Sequence, residues 1–271
     1  MSYLDFVHCI SIRIIFFIIG IGINCFYNRK LAPPEPLIPQ LNMALKRVLK
    51  VGLDSAAPFP MHSDYNSERF EGFEVDLLSE IAKQLDFEIQ YEVSLWKKIL
   101  GKLFKGELDL ICSAVTMTAT RKHILEFTEP YLHFRLCAVV PAADVQINEV
   151  KDFKEKRIGV RIAAEAERHV HTKFPEASMV HAETNKELYE QLESGEIDAL
   201  IDDSPIANGF LQNNDKLKIG LFLPGTDSQY AIAMKKGDLE LKDQFNEALK
   251  SLKENGIYDH LYQKWFSGME F

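Results

Sequence analysis

The sequence predicts an α/β protein of two lobes, each a mainly parallel sheet flanked by helices. Apolar strand-like runs alternate with segments of helical spacing in residues 47–115, and the same alternation starts again in residues 157–201. Strands that alternate with helices pair in parallel, because each helix returns the chain to the same edge of the sheet. A length of 271 residues leaves room for two domains of roughly 100–150 residues each.

The first unit is predicted from its apolar spacing. One segment carries apolar side chains at helical intervals, at Val75, Leu78, Ile81, Ala82 and Leu85. The predicted elements, in order, are a strand at 48–53, a helix at 74–85, a strand at 88–93, a helix at 96–105 and a continuous buried strand at 108–115.

The second unit repeats this order. Thr184 and Glu187 predict a capping box, in which each side chain accepts a hydrogen bond from an amide at the helix start. That helix ends near Gly195, and a later one stops at Gly256. The predicted elements are a strand at 157–160, a helix at 164–174, strands at 178–181 and 199–201, and helices at 239–255 and 258–266. We expect the last helix, which is rich in aromatic residues, to pack on an existing sheet.

Composition and charge narrow the classes of function. With 46% hydrophobic and 26% charged residues the chain is an ordinary globular one. A net charge of −9 argues against nucleic acid as a partner, because phosphate binding needs a basic surface. The sequence holds no CxxC pair and no cysteine–histidine set at metal-ligand spacing, so we expect neither a metal nor a cofactor.

The N-terminal segment is predicted to lie outside the fold. Residues 14–23 form an apolar run after Arg13 that is shorter than the roughly 20 residues of a membrane-spanning helix. Residues 1–30 are therefore predicted to be a signal peptide, which exports the protein to the periplasm or another extracytoplasmic space, or an uncleaved membrane anchor. Residues 31–46 are proline-dense and predict an exposed linker.

The cysteines and the start of the chain leave alternatives open. Cys112 and Cys137 lie in apolar runs, where each is either a small buried hydrophobic residue or half of a disulfide. Lipidation of Cys25 is disfavoured, because Asn24 stands where a small residue is needed. The acidic Asp5 is unusual in a signal peptide, so a start further along the chain stays an alternative.

Ligands of open α/β sheets bind at the carboxyl ends of the strands. The residues at those ends are Asp54, 116–121, 161–166 and the pair Asp202–Asp203. They combine basic with acidic groups, which suits a zwitterion better than a simple anion. Thr118 can cap a short helix, and the planar guanidinium of Arg121 matches a carboxylate, although a surface arginine on a capped helix has the same pattern.

Four segments carry longer motifs. They are Gly72-Phe-Glu-Val-Asp76, Thr116-Met-Thr-Ala-Thr-Arg121 continuing to Phe127-Thr-Glu-Pro-Tyr131, Gly195-Glu-Ile-Asp198-Ala-Leu-Ile-Asp-Asp203, and Gly256-Ile-Tyr-Asp259 with Trp265-Phe266. Together, and in this order, they resemble the periplasmic amino-acid-binding proteins, bacterial solute-binding protein family 3. The resemblance spans residues 47–266. It implies the type II periplasmic-binding-protein fold, with lobe 1 at 47–137 and 230–271, lobe 2 at 138–229, and hinge crossovers near 136–140 and 228–233.

The resemblance also implies roles for individual residues. Arg121 would bind the ligand's α-carboxylate with the help of Thr116, and Asp203 would bind the α-ammonium from the other lobe. Trp96 would pack its face on the ligand side chain. The other positions that match ligand-binding ones are Asp54 and Glu74, which reach the far end of the side chain, together with Ser113, Arg161 and Ala164.

Two departures from the family's pattern and one match to it bear on which ligand is bound. Ala163 stands where the family has a glycine-containing turn whose amides meet the carboxylate, and an alanine disfavours φ > 0 there. Ala56-Ala57 replaces an aromatic. Arg161 matches a lysine that pairs with the counterpart of Asp54 in glutamine binders, so arginine or lysine and glutamine all stay open as ligands.

The expected function is capture of a polar or basic L-amino acid by a monomer that closes its lobes and delivers the ligand to an ABC permease in the membrane. Two other classes stay open, namely an enzyme on the same scaffold, similar to cyclohexadienyl dehydratases, and a ligand-sensing receptor domain. No nucleophile elbow or Ser-His-Asp order favours the enzyme.

Overall fold

The computed structural model describes residues 46–55, Met61 and residues 70–271. The predicted signal segment at 1–30, nearly all of the linker at 31–46 and the Ala56-Ala57 pair lie outside the described residues. Among the described helices, none combines the length and the apolar character that crossing a membrane requires.

The elements follow one another through two sheets. The first half of the chain contains β1 (Arg47–Asp54), α1 (Phe73–Leu85), β2 (Phe87–Ser94), α2 (Trp96–Lys105), β3 (Leu110–Ile111), α3 (Ala119–Ile124), β4 (Leu125–Phe127), β5 (Leu132–Phe134) and β6 (Leu136–Pro141). A short 3₁₀ helix (Val150–Phe153) leads to β7 (Arg157–Arg161), α4 (Glu165–Lys173), β8 (Ser178–Ala182), α5 (Asn185–Ser194), β9 (Ala199–Asp203), α6 (Ser204–Leu211), β10 (Leu217–Phe222), β11 (Ser228–Tyr230), β12 (Ala233–Lys235), α7 (Leu239–Glu254) and α8 (Ile257–Phe266).

The first lobe is built on a five-stranded sheet with the order β2-β1-β3-β12-β4. β1 pairs in parallel with β2 and β3, and β12 runs antiparallel to both of its neighbours. Helix α2 packs on one face of this sheet, and α1, α7 and α8 form a layer on the other. Gly52 of β1 makes room for the Leu108 side chain, because a Cβ at this position would come within 2.8 Å of it.

The second lobe has a five-stranded sheet with the order β10-β6-β9-β7-β8. β7 pairs in parallel with β8 and β9, and β6 runs antiparallel to β9 and β10. Helix α4 covers one face, with Val170 buried, and α5 covers the other, with Leu188 buried. Both lobes therefore carry helices on both faces of a mixed sheet, which agrees with the predicted two-lobed α/β class.

The chain passes between the lobes at a small ribbon. β5 and β11 pair antiparallel as a separate two-stranded sheet. The crossovers predicted near 136–140 and 228–233 adjoin this ribbon. Residues 136–140 belong to β6 inside the second sheet, directly after β5, and residues 228–230 form β11. The predicted lobe boundaries themselves stay a prediction.

The predicted strand at 108–115 is too long. β3 keeps only Leu110–Ile111, and the chain then turns, with Ala114 at φ 50°. The turn is held by side chains rather than by a ladder, since the Ala114 amide donates to Glu74 Oε1 at 2.6 Å. The continuous apolar pattern indicates that these residues are buried. It does not separate a buried turn from a buried strand.

Three smaller features either differ from the prediction or concern a question that the sequence left open. Helix α8 packs on α1 and α7 rather than on a sheet, and Phe266 contacts Phe73 there, with ring centroids 4.8 Å apart. Only the Thr184 half of the capping box forms, its Oγ1 accepting from the Glu187 amide at 3.2 Å. Cys112 and Cys137 are buried free thiols in the structure.

Candidate functional site

A cavity lies where the carboxyl ends of three strands meet. Asp54 is the last residue of β1, Arg161 of β7 and Asp203 of β9, so the two sheets contribute to one site. The cavity contains about 500 Å³ of empty space, part of which is its open mouth. Its lining residues are Asp54, Trp96, Ser113, Ala114, Thr116, Arg121, Arg161, Ala164, Glu165, Asn185, Asp202, Asp203 and Ile206. All the predicted site residues except Glu74 are among them.

Arg121 is held in place by both lobes. Thr118 Oγ1 caps α3 and accepts from the Arg121 amide at 3.2 Å, as the sequence predicts. The guanidinium donates from Nη1 to the Thr116 carbonyl at 2.9 Å and from Nη2 to the Ala163 carbonyl of the second lobe at 3.1 Å. It lies over the Trp96 ring, 5.1 Å from the centroid. Burial lowers the pKa of Arg121, and the negative charge of Asp203 opposes that shift.

Asp203 faces the same space from the end of β9. Its Oδ2 accepts a hydrogen bond from the Tyr230 hydroxyl at 2.6 Å, which joins the second lobe to the ribbon strand β11. Burial raises the pKa of the Asp203 carboxyl to about 6, although the Tyr230 hydrogen bond and the Arg121 charge act against this rise. Asp203 is thus a carboxylate that gains stability from a cation placed beside it.

Asp202, the residue before Asp203, is surrounded by hydrogen-bond donors. Its Oδ2 accepts from Asn185 Nδ2 at 2.8 Å and from the Tyr189 hydroxyl at 3.2 Å, and its Oδ1 accepts from the Asp203 amide at 2.9 Å. Burial, with the adjacent Asp203 charge, raises the pKa of Asp202 to about 7. The two neighbouring carboxyls therefore disfavour simultaneous ionisation.

Arg161 and Asp54 meet across the cavity. Arg161 Nη2 lies 2.5 Å from Asp54 Oδ2, and both side chains are largely buried. Within the described part of the chain, Nη2 has no acceptor in good hydrogen-bond alignment, so the contact is chiefly an ion pair. Arg161 Nε donates to the Glu183 carbonyl at 3.1 Å, and the Asp54 amide donates to Ser113 Oγ at 2.8 Å.

Glu74 does not line the cavity. It is fully buried at the start of α1, where its Oε1 accepts hydrogen bonds from the Ala114 amide and the Tyr131 hydroxyl. These contacts hold the turn at Ala114, whose φ of 50° costs an alanine free energy. The structure therefore gives Glu74 a role in shaping the wall beside Ser113, behind the cavity surface.

The turn after β7 uses its amides internally. Ala163 has φ 61°, the conformation that the sequence analysis identified as unfavourable for alanine. Its amide donates to Glu167 Oε2 at 2.8 Å, and its carbonyl accepts from Arg121. The Ala164 amide donates to the Arg161 carbonyl at 3.2 Å. In this conformation the expected amide donors for a carboxylate are bonded within the protein.

Three lining residues, Ala114, Asn185 and Ile206, lie outside the strand-end residues that the sequence predicts for the site. Asp202 and Glu165 lie among those strand-end residues, although no role in binding was predicted for either of them. Asn185 is the first residue of α5, and no local pattern separates it from an ordinary helix start.

Comparison with known proteins gives one family. The model of the bacterial extracellular solute-binding proteins, family 3, matches residues 49–268. The arginine-binding extracellular protein ArtP of Bacillus subtilis is 29% identical over 224 residues, which are 81% of this chain and 87% of ArtP. The ABC transporter glutamine-binding protein GlnH of the same species is 30% identical over 204 residues, 74% of each protein.

A solved structure is also similar in fold. The ancestral amino acid-binding protein AncCDT-1, described as a precursor of cyclohexadienyl dehydratase, superposes with a TM-score of 0.74 at 29% identity. The match covers 81% of this chain and 95% of that protein. Since the identity exceeds a quarter over nearly the whole of that structure, the two proteins share the fold.

Proposed function

Because the chain belongs to family 3 of the bacterial extracellular solute-binding proteins, we propose that it captures one polar or basic L-amino acid by closing its lobes around it. The observation that carries the proposal is the presence of Arg121 and Asp203 in one cavity, each on a different lobe. A zwitterionic head group supplies one charge of the opposite sign to each of them. Relatives named for arginine and for glutamine support the same ligand class.

The side-chain end of the cavity favours an uncharged polar group. Asp54 already has Arg161 beside it, so little net negative charge is left to attract a cation. Glu74, the other expected carboxylate, is turned into the protein. An amide such as that of glutamine fits this balance, and an arginine or lysine side chain fits if it displaces Arg161 from Asp54.

Delivery and location complete the proposal. We propose that the protein acts outside the cytoplasm as a monomer and hands its ligand to an ABC permease, in line with relatives named as extracellular and as parts of ABC transporters. Light scattering coupled to gel filtration tests the monomer directly. A mass of twice that of the purified single chain would contradict it.

The identity of the ligand is tested by releasing any bound small molecule and then measuring the binding of added amino acids. The protein is purified without added amino acids, unfolded, and the released small molecules are identified by mass spectrometry. The refolded protein is then titrated with each common L-amino acid, and a rise in melting temperature reports binding. We expect glutamine, arginine or lysine to give the largest rise. Tighter binding of leucine or phenylalanine would overturn the proposed class, and binding of none would overturn the proposal.

One observation favours a second candidate, an enzyme. Burial keeps a large fraction of Asp202 protonated near neutral pH, and this carboxyl lines the cavity. A protonated acid beside a bound substrate can protonate a leaving group, which an elimination requires. Incubation with cyclohexadienyl carboxylic acids tests this candidate, since aromatisation changes ultraviolet absorbance. Wild-type activity that vanishes in Asp202→Asn would support it, and no aromatic product would exclude it.

A further inference from the structure

Tyr230 is connected to both head-group anchors of the cavity. Its hydroxyl donates a hydrogen bond to Asp203 Oδ2 at 2.6 Å. Its backbone pairs with Thr116 in an antiparallel bridge, and the Thr116 carbonyl accepts a hydrogen bond from Arg121 at 2.9 Å. One residue therefore contacts the anionic anchor through its side chain and adjoins the carbonyl that holds the cationic anchor.

The position of Tyr230 is fixed by its surroundings. The residue is fully buried, and its ring packs against that of Phe134, with centroids 4.2 Å apart. Its carbonyl accepts a hydrogen bond from the Tyr131 amide at 3.0 Å. The amide of the next residue, Ala231, donates to the Val115 carbonyl at 3.1 Å. Because ring and backbone are both held, the hydroxyl has a defined position from which it orients its acceptor.

The Tyr230 hydroxyl leaves one oxygen of Asp203 for a ligand. Asp203 stands at the N-cap position of α6, yet its side chain makes no hydrogen bond to that helix. In the ranges that the structure describes, the bond from Tyr230 to Oδ2 is the one side-chain hydrogen bond that this carboxyl accepts. Since Asp203 lines the cavity, Oδ1 is the oxygen that can accept from a ligand ammonium.

The same hydroxyl favours the charged form of Asp203. Burial raises the pKa of this carboxyl to about 6, and the Tyr230 hydrogen bond acts against that rise. A hydrogen bond donated to a carboxylate stabilises the ionised state, which is the state that binds an ammonium. The other charged groups that face Asp203 are Arg121 of α3, Arg161 of β7, Glu165 of α4 and the adjacent Asp202. Removal of the hydroxyl alone leaves all of these in place.

We propose that Tyr230 is a positioning residue for ligand capture: its hydroxyl holds Oδ2 of Asp203 and thereby presents Oδ1 to the α-ammonium of the ligand. The inference rests on the proposed amino-acid site, to which it adds the residue that orients the anionic anchor. Because glutamine, arginine and lysine share this head group, the contribution of Tyr230 does not depend on the ligand side chain.

Calorimetry on Tyr230→Phe tests the proposal, because this substitution removes the hydroxyl and keeps the ring. L-glutamine, L-arginine and L-lysine are titrated into the wild type and the variant between pH 5 and 8. Each of these ligands that binds the wild type loses affinity by the same factor, roughly tenfold at pH 7, as expected for one hydrogen bond to a charged group. The loss widens towards pH 5, because Asp203 without the hydroxyl takes up a proton at higher pH. A merely structural role gives the same loss at every pH.

A second measurement asks whether Tyr230 acts through Asp203. The same titrations are made with Asp203→Asn and with the double variant, at higher ligand concentrations. Tyr230→Phe costs little further affinity in the Asp203→Asn background, since the carboxylate that the hydroxyl orients is gone.

Tyr258→Phe is the matched control. It removes another tyrosine hydroxyl, which donates to the Tyr131 carbonyl, and neither Tyr258 nor Tyr131 lines the cavity. The affinities and their pH dependence stay at wild-type values in this variant.

Three results overturn the role of Tyr230 and leave the amino-acid site standing. They are an unchanged affinity in Tyr230→Phe, a loss that is the same at every pH, and a loss that is equally large in the Asp203→Asn background. Binding of none of the three amino acids to the wild type overturns the proposed site and this inference together.

Discussion

Arg161 and Asp54 form an ion pair between the two lobes, with Nη2 and Oδ2 2.5 Å apart at the side-chain end of the cavity. Asp54 is 2% exposed, so breaking the pair without a substitute removes a positive charge from beside a buried carboxylate. The loss of one partner from a buried pair costs more free energy than the intact pair contributes. The contact therefore links lobe closure to the charge of whatever ligand lies beside it.

Arg161→Ala separates the two classes of ligand. Without Arg161, Asp54 attracts a cationic side chain, so affinity for arginine or lysine rises, whereas affinity for glutamine falls because closure loses its ion pair. We expect changes of roughly tenfold in each direction. A thermal-shift panel of amino acids on both proteins measures them. Arg157→Ala, on the same strand but paired with Asp198 at the surface, is the control and leaves the panel unchanged. A change of the same sign for both ligand classes would contradict the prediction.

Removal of either head-group anchor weakens binding strongly. Arg121→Ala and Asp203→Ala each cost about 2–5 kcal/mol of binding free energy, because the opposite ligand charge is left buried without a partner. Calorimetry measures the loss, and chemical denaturation measures the smaller loss of stability. Lys122→Ala, at the exposed neighbouring position of α3, retains wild-type affinity. Undiminished binding to Arg121→Ala would rule out its role.

The Asp202–Asp203 pair predicts opposite pH dependences for folding and for binding. Burial raises their pKa values to about 7 and about 6, above the ordinary 3.8, so the folded chain holds more protons than the unfolded chain between about pH 4 and 7. The unliganded protein thus loses stability as the pH rises through that window. Affinity rises over the same range, because Asp203 must ionise to bind an ammonium.

Melting curves at pH 5 to 8 for the wild type and Asp202→Asn check the predicted pH dependence of stability. Burial lowers the pKa of His169, which acts in the other direction, so the difference between the two proteins isolates the aspartate. The stability of the wild type relative to that of Asp202→Asn should fall as the pH rises. Calorimetry at the two extremes checks affinity. A difference between the proteins that does not vary with pH would contradict the prediction.

Ala163→Gly should stabilise the fold. Ala163 has φ 61°, a conformation that costs an L-residue about 1–2 kcal/mol and a glycine almost nothing. Part of the gain is offset by the greater entropy of glycine in the unfolded chain, which leaves up to about 1 kcal/mol. Denaturant unfolding measures it. Ala248→Gly, in the interior of α7, is the control and destabilises, because glycine is a poor helix former. Equal loss of stability in both variants would show that the turn carries no strain.

Ligand should close the lobes. The contacts that join them include Arg121 to the Ala163 carbonyl and Tyr230 to Asp203, and these depend on charges that the ligand neutralises. Small-angle scattering should give a smaller radius of gyration with saturating amino acid, and the melting temperature should rise. Arg121→Ala with the same additions provides the control. Superimposable scattering curves with and without a ligand that binds would argue against closure.

Local periodicity was sufficient for most of the fold. Helix α2 begins at Trp96 and ends at Lys105, as the sequence predicts, because its apolar residues repeat at helical spacing and Gly106 ends it with φ 73°. Thr118 caps α3 for an equally local reason, a hydroxyl within reach of an amide three residues on. Strand ends also located most of the cavity, since in such sheets those ends meet at a shared edge.

The sequence by itself thus determined the α/β class, the family resemblance and the positions from which ligand contacts come. Only the tertiary structure decided which way the side chains face. It turned Glu74 into the wall beneath Ala114, placed Glu165 in the cavity and brought Arg161 to Asp54. These outcomes depend on distances between residues far apart in the chain. Periodicity carries no information about such distances. It indicates which side chains are buried, but a buried side chain can find its polar partner in either lobe.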